Sequence, residues 1–480
     1  MITRRNFLAS TAALAAPSQR HPSIVVILAD DLGWGSLNCY GADPRLIRTP
    51  NIDRLAKEGV RFTDANTPSS VCSPTRYALL TGRYCWRTTA KSGVLGLTSP
   101  LHIETTRLNM GSLLKSAGYA TAAIGKWHLG YGTGRTDYTK PITPGPLDIG
   151  FDYHFGIPQN HGDATGIYVR NREVAGLRSD RVAPAGKTPY GRQFLGFDAP
   201  HRVDEKVMDE LTGEAVGWLG RQNAKTPFFL YFTPVAIHFP YTPSKKVQGT
   251  SQAGIYGEWI HDLDQSVGHI LDAIDRGGFA SNTLVIFTSD NGGVQFTEGD
   301  GPEATAYRAG LRMNGPWRGR KHSIYQGGFR VPFLARWPGR IAPGSKSDAT
   351  INLADMLATT AAIVGKPLPP ATEAAEDSFN VLPALLGRSG SRPLRPSMIV
   401  HSVDGNFAIR EGPWKYIEGK ASPDLKNPSR KDELKAQLFN LRDDPAEQHD
   451  LMAKHPQVAA RLADLLEKQR ASGRSRNPAR

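Results

Sequence analysis

The seven residues Ser23–Ala29 (SIVVILA) form an apolar run that breaks at once into Asp30-Asp31. The run shows no alternation of apolar and polar residues, so it reads as a strand covered on both faces, the state of a parallel strand inside an α/β sheet. Tyr119–Trp127, Phe228–Phe232 and Thr283–Ser289 read as further strands. Thr49 with Pro50 at the first helical position predicts a short helix stopped by Gly59. A second helix is expected over about Leu108–Ala117, ending at Gly118. Between the third and fourth strands, Trp259, Leu263, Val267, Ile270, Leu271 and Ile274 fall on one helical face. Strand and helix alternate, which predicts an α/β fold whose mainly parallel central sheet is flanked by helices.

The chain has 480 residues, enough for a large core and for more than one domain. Residues 1–22 read as a leader. Thr3–Leu8 is T-R-R-N-F-L, Leu8–Ala16 is apolar, and small residues allow cleavage near Ala16. That order predicts export by the twin-arginine machinery and a periplasmic or secreted protein. No other run approaches the roughly 20 apolar residues of a membrane span, so no stable membrane insertion is expected. The formal net charge of +13 favours anionic partners, but no compact basic block with interleaved aromatics points to nucleic acid. Of three cysteines, Cys39 and Cys85 read as buried or free thiols, and no disulfide framework is expected.

Pro and Gly thicken over Tyr131–Gly196, which reads as long loops that carry substrate contacts. The Pro/Gly/Ser-rich stretch Leu386–Pro396 marks a boundary between a catalytic domain, 23–390, and a C-terminal subdomain, 391–470. The latter should hold a small antiparallel sheet (Phe407–Arg410, Trp414–Glu418, Gln437–Asn440) and an amphipathic helix near Gln457–Gln469. Residues 471–480 read as a disordered tail.

Polar residues gather where the predicted strands end. Asp30 and Asp31 follow the first. Lys126 and His128 close the second, two apart and so facing one way. His238 follows the third, and Asp290-Asn291-Gly292-Gly293 closes the fourth. Ligands of open α/β sheets bind beyond the carboxyl ends of strands, so four such ends indicate one site. Asp30, Asp31, Asp290 and Asn291 offer only oxygen ligands, which suits Ca²⁺ or Mg²⁺ better than zinc. Cys72 heads the segment C-S-P-T-R-Y-A-L-L-T-G-R, with Pro74 where a helix starts and Gly82 where it stops. The positive end of that helix favours an anion, and Arg76, one turn along, adds a bidentate donor.

Cys72–Arg83 resembles the sulfatase signature, in which Cys-x-Pro-x-Arg directs oxidation of the cysteine to formylglycine. The resemblance continues in I-L-A-D-D-L-G-W-G (27–35), G-K-W-H-L-G (125–130), G-F-D-Y-H-F-G-I-P (150–158), H-F-P (238–240), T-S-D-N-G-G (288–293), R-K-H-S-I-Y-Q-G-G-F-R-V-P (320–332) and L-F-N-L-R-D-D-P-A-E-Q-H-D-L (438–451). It is strongest toward arylsulfatases and N-acetylgalactosamine-6-sulfatases. It implies an alkaline-phosphatase-like core and a sulfuric ester hydrolase acting on a sulfated carbohydrate, with aryl sulfates as model substrates.

The resemblance also implies site roles. One Ca²⁺ would be held by Asp30, Asp31, Asp290, Asn291 and residue 72, the latter made into formylglycine from Cys72 by the formylglycine-generating enzyme. Arg76 and Lys126 would orient the aldehyde hydrate, Lys321 and His238 would contact the sulfate, and His128 would lie beside the hydrate. His238 then protonates the leaving group, and His128 takes the proton of the second hydroxyl, which a plain thiolate lacks. Where some relatives have a serine after G-I-P, this chain has Gln159-Asn160-His161; contact of Asn160 or His161 with the nucleophile or the substrate stays open, and neither is assigned as catalytic. A phosphonate monoester or phosphodiester hydrolase of the same superfamily is the alternative reading.

Overall fold

The computed structural model describes residues 21–390, 392–419 and 435–477. The expected leader, up to residue 20, lies outside them. In chain order the first strands are β1 (Ser23–Ala29), β2 (Val60–Phe62), β3 (Ala65–Asn66), β4 (Ala120–Lys126), β5 (Tyr153–Ile157), β6 (Val169–Arg170) and β7 (Glu173–Val174). There follow β8 (Phe228–Thr233), β9 (Thr283–Ser289), β10 (Phe333–Arg336), β11 (Ser345–Ser347) and β12 (Ile351–Asn352). All but β3 and β12 form one sheet, ordered β11-β2-β10-β9-β1-β8-β4-β5-β6-β7. Its centre, β9-β1-β8-β4-β5, is parallel. Antiparallel β10 and the β6–β7 hairpin flank it.

β1 sits between β9 and β8, and its alternate residues enter two different cores. Ile24, Val26 and Leu28 pack with α2 (Cys72–Thr81) and α3 (Met110–Ser116). Val25 and Ile27 pack with α1 (Pro50–Glu58), α4 (Val207–Gly220) and α5 (Gly254–Arg276) on the other face. Full burial of each such side chain contributes about 1.5–3 kcal/mol, which explains why the strand is apolar from Ile24 to Ala29. The expected helical face of α5 is buried from Trp259 to Ile274.

Local capping departs from expectation in two places. Thr49 precedes α1 but makes no side-chain capping bond. Instead the Asp264 carboxylate, reaching from α5, accepts from the backbone N–H groups of Asn51 (3.0 Å) and Ile52 (2.8 Å). The helix expected from Leu108 starts at Met110, because Asn109 accepts from the Ser112 N–H and donates its own N–H to the Ser112 hydroxyl.

After the Leu386–Pro396 stretch come β13 (Met398–His401), β14 (Phe407–Glu411), β15 (Trp414–Ile417) and β16 (Gln437–Asn440), an antiparallel sheet in that order. β13 was not apparent in the sequence. The C-terminal helix Pro456–Ala471 buries Leu462 and Leu466 against Ile409 and Phe407. The other face of this sheet packs Val400, Ala408 and Phe439 on Ile324 and Phe329, and Lys415 Nζ donates to the Ile324 carbonyl (2.8 Å). The C-terminal subdomain therefore braces the segment that carries Lys321. Beyond the helix the chain departs from the disordered tail expected there. The N–H groups of Ser475 and Arg476 donate to the Glu376 carbonyl, and the Arg476 guanidinium donates to that of Pro369. Residues 478–480 lie outside the described residues. Among the described residues no helix is long and apolar enough to cross a membrane.

Candidate active site

The carboxyl ends of β1, β4 and β9 and the loop after β8 converge over the start of α2. All ten residues of α2 are buried, so Cys72 is held rigidly at its first position while Gly82, with φ of 64°, ends the helix. Cys72 Sγ lies 3.7 Å from Asp30 Oδ1. One ligand atom each from Asp30, Asp31, Cys72 and His238 lie within 4.8 Å of one another, all buried.

Each carboxylate has a cationic partner. Arg76, with no exposed side-chain surface, donates Nε (3.0 Å) and Nη2 (2.8 Å) to Asp290 Oδ2, and Nη1 (2.7 Å) to the Lys126 carbonyl. Lys126 Nζ pairs with Asp30 Oδ2 at 2.7 Å. Lys321 Nζ pairs with Asp31 Oδ2 at 2.7 Å, and His238 Nε2 lies 3.8 Å from the same oxygen. Burial alone would raise Asp31, but Lys321, His238 and Lys126 hold its carboxyl well below the usual range. Burial, with Asp30 beside it, pushes Asp290 up to about 6. Carboxylates crowded together resist joint ionisation, and a divalent cation relieves this.

The donor set suits such a cation. Asn291 Nδ2 donates to Asp31 Oδ1 (2.8 Å), while its buried Oδ1 has no partner. An orphaned amide oxygen beside three carboxylates is the chemistry of a hard-cation site. Burial pushes the Cys72 thiol up to about 12, although Lys126 and Lys321 oppose the shift.

The two histidines differ in which nitrogen is free. His238 donates Nδ1–H to the Phe239 carbonyl (2.6 Å), which turns Nε2 toward Asp31. Burial, and then Lys321, lowers it to about 3, so the resting ring is neutral. His128 spends Nε2–H on the Leu95 carbonyl (3.1 Å), leaving a buried Nδ1 with no partner. Burial, Lys126 and Arg76 lower it well below the ordinary histidine value. Its position does not come from strand alternation with Lys126, because β4 stops there and His128 adopts φ of 56°. Of six described non-glycine residues with positive φ, three (Asp31, His128 and His322) line this one cleft. Such backbone strain concentrates where side-chain direction is functionally fixed.

The cleft has a volume of about 310 Å³ and is walled by Cys72, His128, His238 and Lys321. Asn160 lines it, with a buried, unpartnered Oδ1. His161 is turned away and hydrogen-bonds the Thr242 hydroxyl at 2.8 Å. Tyr190 also lines the cleft, so the loops after Tyr131 do reach the site. Sequence reasoning missed Tyr241 and Glu303, which also line the cleft. No strand end marks either residue, so only the folded chain brings them in.

Comparison with known proteins agrees with this geometry. The family model described as Sulfatase matches residues 22–366. The chain is 35% identical to an N-acetylgalactosamine-6-O-sulfatase of Bacteroides thetaiotaomicron, over 94% of this chain and 93% of that protein. It is 31% identical to the human N-acetylgalactosamine-6-sulfatase, over 94% and 86% of the two chains. A solved structure from work on the metabolism of multiple glycosaminoglycans by Bacteroides thetaiotaomicron superposes with a TM-score of 0.85 at 35% identity, covering 94% of this chain and 99% of that one.

Proposed function

The chain belongs to the sulfatase family and is a sulfuric ester hydrolase, and from that premise we propose that it removes the 6-sulfate of N-acetylgalactosamine in a sulfated carbohydrate. We propose further that the nucleophile is a formylglycine made from Cys72 by the formylglycine-generating enzyme, beside a Ca²⁺ site. The substrate reading is supported by the two N-acetylgalactosamine-6-sulfatases to which nearly the whole chain is similar. The observation that carries the mechanism is Cys72, 3.7 Å from Asp30 at the buried head of α2 and sharing a cleft with Lys321 and His238.

Asp30, Asp31, Asp290, Asn291 and residue 72 would hold the cation. When bound, Ca²⁺ supplies positive charge that favours an ionised hydroxyl on the hydrated aldehyde and stabilises charge on the sulfate. Lys321, at the cleft wall, binds sulfate oxygens and offsets charge that develops there. Arg76 and Lys126 orient residue 72 from beneath, tied to Asp290 and Asp30. His238, its Nδ1–H held by the Phe239 carbonyl, presents a bare Nε2 to the cleft; that atom takes up a proton when the anionic ester enters and gives it to the leaving sugar oxygen. His128 presents its unpartnered Nδ1 and accepts the proton of the remaining hydroxyl on residue 72. The paired arginines and apolar run of residues 3–16 support export by the twin-arginine machinery to the periplasm or beyond.

The test is turnover of a panel by one preparation matured with the formylglycine-generating enzyme: 6-sulfated N-acetylgalactosamine, its 4-sulfated isomer, an aryl sulfate and an aryl phosphonate. The 6-sulfate should be preferred over its isomer. An aryl phosphonate turned over faster than every sulfate would refute the substrate reading.

A further inference from the structure

Glu303 lies in the first turn of α6 (Pro302–Arg308), a helix anchored by the buried residues Ala304 and Ala306. Its half-buried carboxylate lines the same cleft as Cys72, His238 and Lys321. Among the described residues it has no cationic partner, unlike Asp30, Asp31 and Asp290. The Tyr241 hydroxyl donates to Glu303 Oε1 at 2.6 Å. Burial, Tyr256 and Glu303 itself raise the Tyr241 phenol far above its ordinary value, so it stays a donor. Among the described residues Oε2 has no partner. A Cβ at position 301 would sit 3.0 Å from Oε2, so Gly301 keeps that oxygen uncovered.

A lone negative charge is the wrong sign for the wall of a cleft that receives sulfate. It would repel the anion, unless it faces the neutral part of the substrate. The sulfate end is fixed by Lys321 and His238, so the remainder of the ester extends along the wall that Glu303 and Tyr241 share. A cleft of about 310 Å³ is at the small end of ligand sites and suits a single sugar ring. At its mouth the exposed rings of Phe239 and Tyr190 meet edge to face, 5.2 Å between centroids, and offer apolar surface to sugar C–H groups. Apart from the acetamido N–H, the donors this sugar presents are its ring hydroxyls, and a carboxylate is a strong acceptor for them at neutral pH.

We propose that Glu303, held in place by Tyr241, accepts a hydrogen bond from a ring hydroxyl of the sulfated sugar and so determines which sugar the enzyme accepts. This rests on the carbohydrate reading given above. Aryl sulfates carry no such hydroxyl, so they bypass the contact.

The test compares kcat/KM for 6-sulfated N-acetylgalactosamine, its ring-deoxy analogues and a series of aryl sulfates, in wild type, Glu303→Gln and Tyr241→Phe. Loss of a hydrogen bond to a charged group should lower the sugar-to-aryl ratio of Glu303→Gln by about 10–100-fold. Tyr241→Phe should lower it less. One deoxy analogue should lose a similar factor with wild type and lose little more with Glu303→Gln. A ratio unchanged within about twofold in Glu303→Gln, with wild type still preferring the sugar, overturns this inference alone. An aryl series whose loss in Glu303→Gln grows with leaving-group pKa also overturns it, by making Glu303 a proton donor. Wild type that cleaves aryl sulfate but no sulfated saccharide overturns the substrate reading and this inference together.

Discussion

Arg76→Met should destabilise the protein by about 3–5 kcal/mol, the range for breaking a buried ion pair from one side. The magnitude follows from what the guanidinium leaves behind. Asp290 Oδ2 loses two donors, at 3.0 and 2.8 Å, and the Lys126 carbonyl loses one at 2.7 Å, all in a site without solvent exposure. Met retains most of the stem volume, so the loss is electrostatic and not a cavity. Asp290→Asn should cost less, because Arg76 keeps Asp30 Oδ1 at 3.7 Å and its bond to the Lys126 carbonyl. The double variant removes both charges, so it should be more stable than the sum of the singles predicts, by about 2 kcal/mol. The assay is equilibrium urea unfolding followed by tryptophan fluorescence, with chelator present so that bound cation does not contribute. Stability is read as a midpoint shift at unchanged slope. A coupling below about 0.5 kcal/mol would show that Arg76 and Asp290 act independently, and the reading of the site as interlocked pairs would fall.

Peptide mass spectrometry of active, natively matured protein should find an aldehyde at position 72, and Cys72→Ala should abolish turnover; an unmodified thiol throughout an active sample refutes the nucleophile. Metal analysis of the same sample should find calcium, and stoichiometric zinc with no calcium or magnesium would refute the cation assignment. His238→Ala should slow sugar sulfates about 10²–10⁴-fold while sparing activated aryl sulfates, and equal loss on both removes its role as proton donor. Asp64 joins the two subdomains through Arg330 and through Arg410 at 2.6 Å. Burial would raise its carboxyl, but the two arginines hold it well below the ordinary value. With the folded value depressed, the unfolded chain binds more protons in acid, so this stabilisation is complete above about pH 4 and is lost as pH falls further. Asp64→Asn should therefore lower the melting midpoint at pH 7 and flatten its decline below pH 4; an unchanged acid decline would contradict this.

The sequence carried most clearly those elements whose burial is imposed by chain position alone. β1 and β9 span the expected residues, because a strand between two helical layers carries an unbroken apolar centre and stops at the first acid. Tyr131–Gly196 read as loop, yet it contains β5, which extends the sheet beside β4, and the two-residue strands β6 and β7. Strands that short have no periodicity to read; they exist because β6 pairs with β5 and β7 with β6. β13 was missed for a similar reason, since its partner β14 fixes it across the subdomain sheet. At the site, Asp30, Asp31, Lys126, His238, Asp290 and Asn291 were legible because they mark the ends of recognisable strands or the turn after one. The direction of His128 was not, because the bond to Leu95 and a left-handed backbone set it, not the strand. Glu303, in the first turn of α6, and Tyr241, in the connection after β8, become neighbours only by packing.

The charge arrangement bears on how the proposed site works as a unit. Without a metal, the carboxylates of Asp30, Asp31 and Asp290 are each matched by Lys126, Lys321 or Arg76, and both ring histidines are held neutral. The buried cluster is then close to electroneutral, which is the condition for folding it at tolerable desolvation cost. A divalent cation bound among the acids would shift the cluster to a net charge of two positives. A sulfate monoester brings one negative charge, and one ionised hydroxyl on residue 72 brings the second. Substrate and an ionised hydroxyl on residue 72 would together offset those two positives, which would favour the reacting arrangement over either half of it. A lysine then exchanges a carboxylate partner for a sulfate oxygen without leaving an unpaired charge behind. On this account Lys321→Met should weaken binding of sulfate esters far more than binding of neutral sugars of the same shape, measured by competitive inhibition with the unsulfated saccharide. Equal weakening of both would mean that Lys321 shapes the cleft and does not read charge.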